Sequence, residues 1–176
     1  MEYSFTEQLT LGKLGENTIF EYLNNLQDTI KVENLSDDPV YQGYGIDGLL
    51  VEDKDNILRA TFFDIKTDFQ FNRTGKLFIE VSKDSEFNSG ILSTKAEVFY
   101  YYDPYSGKLF SVPIYALRMW YKRKGISINH RTAKTTNGMV GGKSFEVTGI
   151  AIDPFDLESD GVPVKMYKIN PLNMFK

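Results

Sequence analysis

Two extended runs, Tyr44 to Val51 and Ile57 to Thr67, flank the polar tetrapeptide Asp53-Lys54-Asp55-Asn56. The runs have the apolar content of strands. Asp and Asn tolerate the left-handed backbone that tight turns demand, so the region predicts an antiparallel hairpin. A hairpin returns the end of its second strand to the start of its first. It therefore sets Asp47, in Gly45-Ile46-Asp47-Gly48, beside Asp64 and Lys66 of Asp64-Ile65-Lys66, seventeen and nineteen positions further on. Side chains alternate faces along a strand, so Asp64 and Lys66 point one way while Ile65 enters the opposite layer.

Two carboxylates held close repel each other unless a cation sits between them. With an ammonium alongside, the constellation points to metal-dependent cleavage of phosphodiesters. The chain has no cysteine and a single histidine, which excludes thiolate zinc sites, disulfides, cysteine nucleophiles and a His-rich cage. A metal would be held by oxygen, which favours Mg2+ or Mn2+ over zinc. Gly43, Gly45 and Gly48 leave the backbone around Asp47 free of side-chain bulk, as a close approach to phosphate requires.

Residues from about Thr6 to Gln27 predict a helix, with Ile19, Phe20, Leu23 and Leu26 on one stripe. Glu16 lies on that stripe, three and four positions before Ile19 and Phe20, and Glu21 falls off it. Glu16 thus belongs in or beside an acidic site, or sits at the stripe's edge and reaches solvent. Leu77 to Val81 predicts a third strand, where Glu80 is either a further member of the acidic cluster or an exposed residue of an alternating strand. Ala96 to Tyr102 and Lys108 to Val112 predict two more strands, joined by turn formers. Ile114 to Lys124 predicts a helix with Ile114, Leu117 and Tyr121 inward and a basic C-terminal end. Gly125 to Gly142 has loop composition, and strand-like pieces at Ser144 to Ile152 and Val162 to Ile169 close the chain. The expected fold is α/β (α+β), a central mixed β-sheet flanked by helices in one domain over residues 1 to 176.

Net charge is −4, yet the charge is segregated. Met1 to Asp103 carries nineteen acidic and nine basic residues. Pro104 to Phe145 carries no acid and eight bases: Lys108, Arg118, Lys122, Arg123, Lys124, Arg131, Lys134 and Lys143. Such a block is a candidate phosphate-binding face, because each cation placed on a phosphate releases counterions. The plainer alternative is a solvated helix end and loop. Gly138 to Ser144 lacks the spacing of a nucleotide-binding phosphate loop, having Asn137 where the first glycine belongs. His130 could touch a phosphate or act as a base, but a surface histidine doing neither is the simpler reading. No apolar run approaches the ~20 residues of a membrane span, and Met-Glu-Tyr-Ser-Phe-Thr-Glu-Gln does not open like a signal peptide, so a cytoplasmic location is expected.

The order helix with Glu16, Gly-Ile-Asp47, hairpin, Asp64-Ile65-Lys66, further strand and helix resembles the PD-(D/E)XK nuclease superfamily, the restriction-endonuclease-like fold. The resemblance covers roughly residues 7 to 124 and is closest to junction-resolving and phage-encoded members. Ile46 replaces the proline of the name-giving motif, and the variable acid is Asp64. Phe78-Ile79-Glu80-Val81 followed by Lys95-Ala96-Glu97 is similar to the segment C-terminal to the motif in such nucleases. The resemblance implies an Mg-dependent DNA endonuclease, with branched DNA as a candidate substrate and a role in DNA recombination or repair, in the host cytoplasm if phage-encoded. Asp47 and Asp64 would hold the metal with the Ile65 carbonyl and Glu80. Lys66 would orient or help deprotonate the attacking water, and Glu16 would complete the metal shell or hold its waters. Lys122, Arg123, Lys124, Arg131, Lys134 and Lys143 would contact DNA, and the product would carry a 5′-phosphate. Junction-resolving nucleases commonly act as symmetric dimers, so a homodimer is compatible. The alternatives from other classes are a non-catalytic DNA-binding module and a protein-interaction module on the same fold.

Overall fold

A computed structural model describes residues 5–83, 86–87, 89–136 and 144–172. Helix α1 (Phe5–Asn24) buries Ile19 and Leu23, one turn apart, and half-buries Phe20. Its last carbonyls are covered by Thr29 Oγ1, which donates to Leu23 O at 2.8 Å, and by Asn25 Nδ2, which donates to Glu21 O at 2.9 Å. Strand β1 (Thr29–Asn34) follows, then the single-turn helix α2 (Pro39–Gly43). Asp38 caps α2 by accepting from Val40 N at 2.8 Å, and Pro39 occupies the first helical position, where its missing N–H costs nothing.

The hairpin is β2 (Gly48–Lys54) and β3 (Ile57–Thr67) in antiparallel register, Gly48 opposite Phe63 and Lys54 opposite Ile57. Its loop is only Asp55-Asn56, both with positive φ (56° and 60°), as a type I′ turn requires. The first strand therefore begins at Gly48 and not at Tyr44. Residues 44 to 47 leave α2 through Gly45, whose φ is +64°.

Beyond the hairpin come α3 (Phe71–Thr74), β4 (Leu77–Lys83), β5 (Glu86–Phe87), β6 (Val98–Asp103), β7 (Lys108–Pro113) and α4 (Ile114–Arg123). The chain continues through β8 (Arg131–Thr136), β9 (Ser144–Ile152), α5 (Pro154–Ser159) and β10 (Lys165–Lys168). Among the described residues two sheets result, ordered β1-β2-β3-β6-β7-β10 and β5-β4-β9-β8. The first is mixed: β3 and β6 pair in parallel, Asp64 opposite Phe99, and its other pairings are antiparallel. A mixed central sheet flanked by helices is the expected class, and the second, wholly antiparallel sheet is an addition to it.

Strand β6 shows why the layers stack as they do. Tyr100 and Tyr102 enter one core with Ile19, Leu23, Phe63 and Ile65, beneath α1. Phe99 and Tyr101 enter the other, with Ile79, Ile150, Leu117 and Trp120, beneath the second sheet and α4. A strand apolar on both faces must be covered on both, as parallel-paired strands usually are. Each such large side chain contributes about 1.5–3 kcal/mol by leaving water.

Several local expectations change. The segment before the hairpin holds β1, which its polar composition conceals. Residues 131 to 136, expected within a loop, form β8 because they pair with β9, Arg131 opposite Gly149 and Lys134 opposite Glu146. Only Lys165–Lys168 of the expected last strand is a strand, and it adds to β7. On α4 the buried residues are Ile114, Leu117 and Trp120, with Tyr121 at the margin.

Candidate active site

Asp47 is fixed on both sides by backbone: its N–H donates to Phe63 O at 2.9 Å, and its carbonyl accepts from Leu35 N at 2.8 Å. Its side chain then turns back to β3, where Oδ2 accepts from the Ile65 N–H at 2.6 Å. Asp64, next along β3, comes within hydrogen-bonding reach of the Asp47 carboxyl. A cavity of about 300 Å³ opens here, lined by Glu16, Asp47, Asp64, Ile65, Lys66, Phe78, Glu80, Gly90, Ile91 and Phe99. Four carboxyl groups and one ammonium thus converge from α1, the loop before β2, β3 and β4.

The two helix and strand acids left open by sequence are both placed in the cavity wall. Glu16 arrives there because α1 lies directly on β3: a Cβ on Gly15 would collide with the Thr67 side chain. Glu80 comes from the second sheet, and Ser89 Oγ donates to its Oε1 at 2.5 Å. The neighbouring Gly90 has φ +53°, and a Cβ there would run into the Glu80 carbonyl, so only glycine lets this turn close on β4.

The electrostatics follow from burial and crowding. Desolvation pushes the Asp64 carboxyl well above the ordinary range, and the Asp47 charge adds to this, with Lys66 opposing. Desolvation also raises Asp47, held back by the Ile65 N–H, by Asp64 and by Lys66. Glu16 is pushed up to about 7, by desolvation first and then by Asp47. Two carboxyls this close resist ionising together, and a cation between them would relieve that repulsion.

The donor set suits a hard cation, because the cavity offers carboxylate and carbonyl oxygen and no imidazole or thiolate. Among the described residues no three His, Cys, Asp or Glu side chains already stand gathered at ligating distance. Mg2+ needs no such cage, since it keeps several waters and binds through one or two carboxylates.

Gly48 and Gly45 are also required by packing. A Cβ on Gly48 would overlap the Phe63 ring and lie 2.8 Å from Phe20, and one on Gly45 would lie 3.1 Å from the Thr94 side chain. Gly43 meets nothing.

The basic block is dispersed. Arg118 is structural: Nε donates to Ile91 O at 2.6 Å and Nη2 to Thr94 O. Lys124 pairs with Asp160, which also accepts from the buried Trp120 indole at 2.9 Å. Lys108 starts β7, about 15–20 Å of strand away from α4. Lys122 and Arg123 are exposed at the end of α4, Arg131 and Lys134 lie on β8, and Lys143 falls outside the described residues, as do 137 to 142. His130 is exposed, with Nε2 3.0 Å from Tyr121 OH. Glu97 does not line the cavity and accepts from Phe62 N at 3.1 Å.

Sequence reasoning misses Ser89, Gly90 and the Tyr101 strut. Tyr101, fully buried, donates its hydroxyl to Asp68 and accepts from Phe78 N at 3.1 Å, which ties β6 to β4 two residues from Glu80. No local pattern marks these residues, because each acts on a strand far along the chain.

No protein-family model matches this chain, and neither a curated protein nor a solved structure matches it.

Proposed function

We propose that the chain is a magnesium- or manganese-dependent deoxyribonuclease that hydrolyses internal phosphodiester bonds, with branched or junction DNA as the substrate class to test first. One observation carries the reading: the Asp47 and Asp64 carboxyls, both raised by burial, face each other in a cavity beside Lys66. Asp47, Asp64 and the Ile65 carbonyl would hold the cation, which when bound supplies charge neutralisation at phosphorus and a more acidic water.

The chain's own groups do the rest. The Ile65 N–H fixes the Asp47 carboxylate, so its free oxygen is aimed before substrate arrives. Lys66 offers N–H donors to non-bridging phosphate oxygens and offsets charge that grows in the transition state. Glu16, titrating at about 7, suits a group that takes a proton from water and returns it near neutral pH. Glu80, steadied by Ser89, adds negative charge opposite Asp64, which favours occupancy of the site by a cation.

The test incubates wild type and Lys66→Ala with supercoiled plasmid and with a synthetic four-way junction, in magnesium and in chelator. Cutting by wild type alone, in magnesium alone, is the expected result, and the faster substrate assigns the subclass. A well-folded wild type that cuts neither substrate would sink the proposal. The second reading, a non-catalytic DNA-binding or protein-interaction module, draws on the lack of three gathered ligands among the described residues. DNA binding indifferent to both magnesium and Asp64→Asn would select it.

A further inference from the structure

The turn that lines the cavity also carries a surface which the acidic site does not use. Residues Gly90 to Lys95 run from the cavity wall to the outside of the molecule. On one side Lys95 N donates to Tyr44 O at 2.7 Å, and Thr94 Oγ1 donates to Gly45 O at 2.7 Å. On the other, Arg118 clamps Ile91 O and Thr94 O, which docks α4 against the same turn. Two aromatic side chains are thereby anchored by their backbones on either side of this turn. Tyr44 is 50% exposed and Tyr115, in the first turn of α4 and one turn before Arg118, is 73% exposed. Lys95, whose N–H bonds Tyr44 O, is exposed as well.

A single exposed tyrosine is ordinary. Here Tyr44 and Lys95 are joined through backbone, Tyr115 follows Ile114, whose N–H donates to Glu97 O two residues past Lys95, and all three stand on or beside the turn whose Gly90 and Ile91 line the cavity. Of the carboxylates on the adjoining segments, Glu97 accepts from Phe62 N, Asp38 caps α2, and Asp37 pairs with Lys13. Flat π faces with an interleaved cation are the means by which proteins hold unpaired bases and the phosphates joining them, whereas a paired duplex keeps its base faces stacked and out of reach. We infer that Tyr44, Lys95 and Tyr115 form a track for single-stranded DNA leading into the cavity, the rings stacking on bases and Lys95 meeting phosphate. This deepens the nuclease reading and rests on it: the enzyme would act where a strand is unpaired, at a flap, a gap or an opened branch point.

The experiment measures binding in chelator, so no cutting is needed to see it. Fluorescence anisotropy compares a labelled oligonucleotide as single-stranded DNA, as blunt duplex and as RNA of the same sequence, for wild type, Tyr44→Ala, Tyr115→Ala, both Tyr→Phe variants and Lys95→Ala. Wild type should prefer the single strand to the duplex. Each Tyr→Ala should weaken single-strand binding about 5- to 100-fold with duplex binding unchanged, and Tyr→Phe should restore it. Lys95→Ala should reduce the salt dependence by about one counterion. Equal or tighter duplex binding, Tyr→Ala variants that bind as wild type does, or binding restricted to RNA would each overturn the track. Magnesium-dependent plasmid cutting with no tyrosine effect leaves the nuclease reading standing without the track. Single-strand binding lost in the Tyr→Ala variants, with no cutting of any substrate, leaves the track standing without the nuclease.

Discussion

The Ile65 N–H donates to Asp47 Oδ2 at 2.6 Å, across eighteen positions of chain. This bond occupies one carboxylate oxygen with the backbone of the strand that carries Asp64. Asp47 and Asp64 are thereby locked together more firmly than their mutual repulsion would allow in free side chains. A charged-group hydrogen bond of this kind contributes about 1.5–3 kcal/mol, enough to hold an arrangement that is useful only when a cation arrives.

Asp64→Asn should therefore separate stability from activity. Removing one of two crowded, half-buried charges should raise the melting temperature in chelator at pH 8, while cutting falls by about 10³-fold or more. Melting curves and a plasmid assay on the same preparation check both. A variant that melts lower and still cuts would contradict the site as drawn.

Protonation gives a second handle. Glu16 is held at about 7 in the folded chain against an ordinary 4.5, so the folded state binds its proton more tightly than the unfolded state does. Its stabilising contribution is fully present below about 4.5 and is lost as pH rises through about 7. Glu16 is partly open to solvent, so the loss is about 1–2 kcal/mol after screening. Asp47 and Asp64 shift in the same direction. Denaturant unfolding in chelator should show stability falling from pH 5 to pH 8, with a shallower fall in Glu16→Gln; a rise over that range would refute it.

Magnesium should reverse this trend. Binding to the native state alone stabilises by mass action, and a cation competes with protons for the Asp47 and Asp64 carboxyls, both of which are shifted upward. The melting temperature should rise with magnesium in wild type, more at pH 8 than at pH 6, and show no such rise in Asp64→Asn. Calorimetry in two buffers of different ionisation heat would register the released proton.

The cations of the basic block should behave differently from one another. Arg118→Ala leaves two carbonyls of the 91–94 turn without their donor and should cost about 2–3 kcal/mol by chemical denaturation. Lys122→Ala and Arg123→Ala, both at exposed positions, should leave stability near wild type and lower the salt slope of DNA binding by about one each.

Gly48→Ala should destabilise by about 1–3 kcal/mol, since the added methyl meets Phe63 and Phe20 in the core beside Asp47. Gly43→Ala, with open space around it, is the control.

The hairpin and the placing of Asp47 beside Asp64 are legible in the sequence because their causes are local: apolar runs, and a turn at Asp55-Asn56 that accepts positive φ. The α1 stripe is legible for the same reason, and its period carries Glu16 to the correct face of the helix. The sequence makes the turn two residues too long and starts the strand four too early, since the preference of Asp38-Pro39 for a helix start outweighs the extended look of residues 44 to 47. Strands β1 and β8 are not legible, because their polar residues become strand only by pairing with β2 and β9.

By itself, then, the amino-acid order determined a mixed α/β chain, an acidic pair brought together by a hairpin with a lysine two residues beyond its second member, and a donor set restricted to oxygen. Tertiary structure decided what surrounds that pair. The parallel pairing of β3 with β6 and the antiparallel pairing of β4 with β9, Ile79 opposite Ile150, join segments tens of residues apart. Such contacts depend on which faces remain to be buried once the local elements exist. That is why Glu80 and Gly90 line the cavity with Ser89 bonded to Glu80, and why the apparent basic face divides into a strut, an ion pair and a few exposed charges.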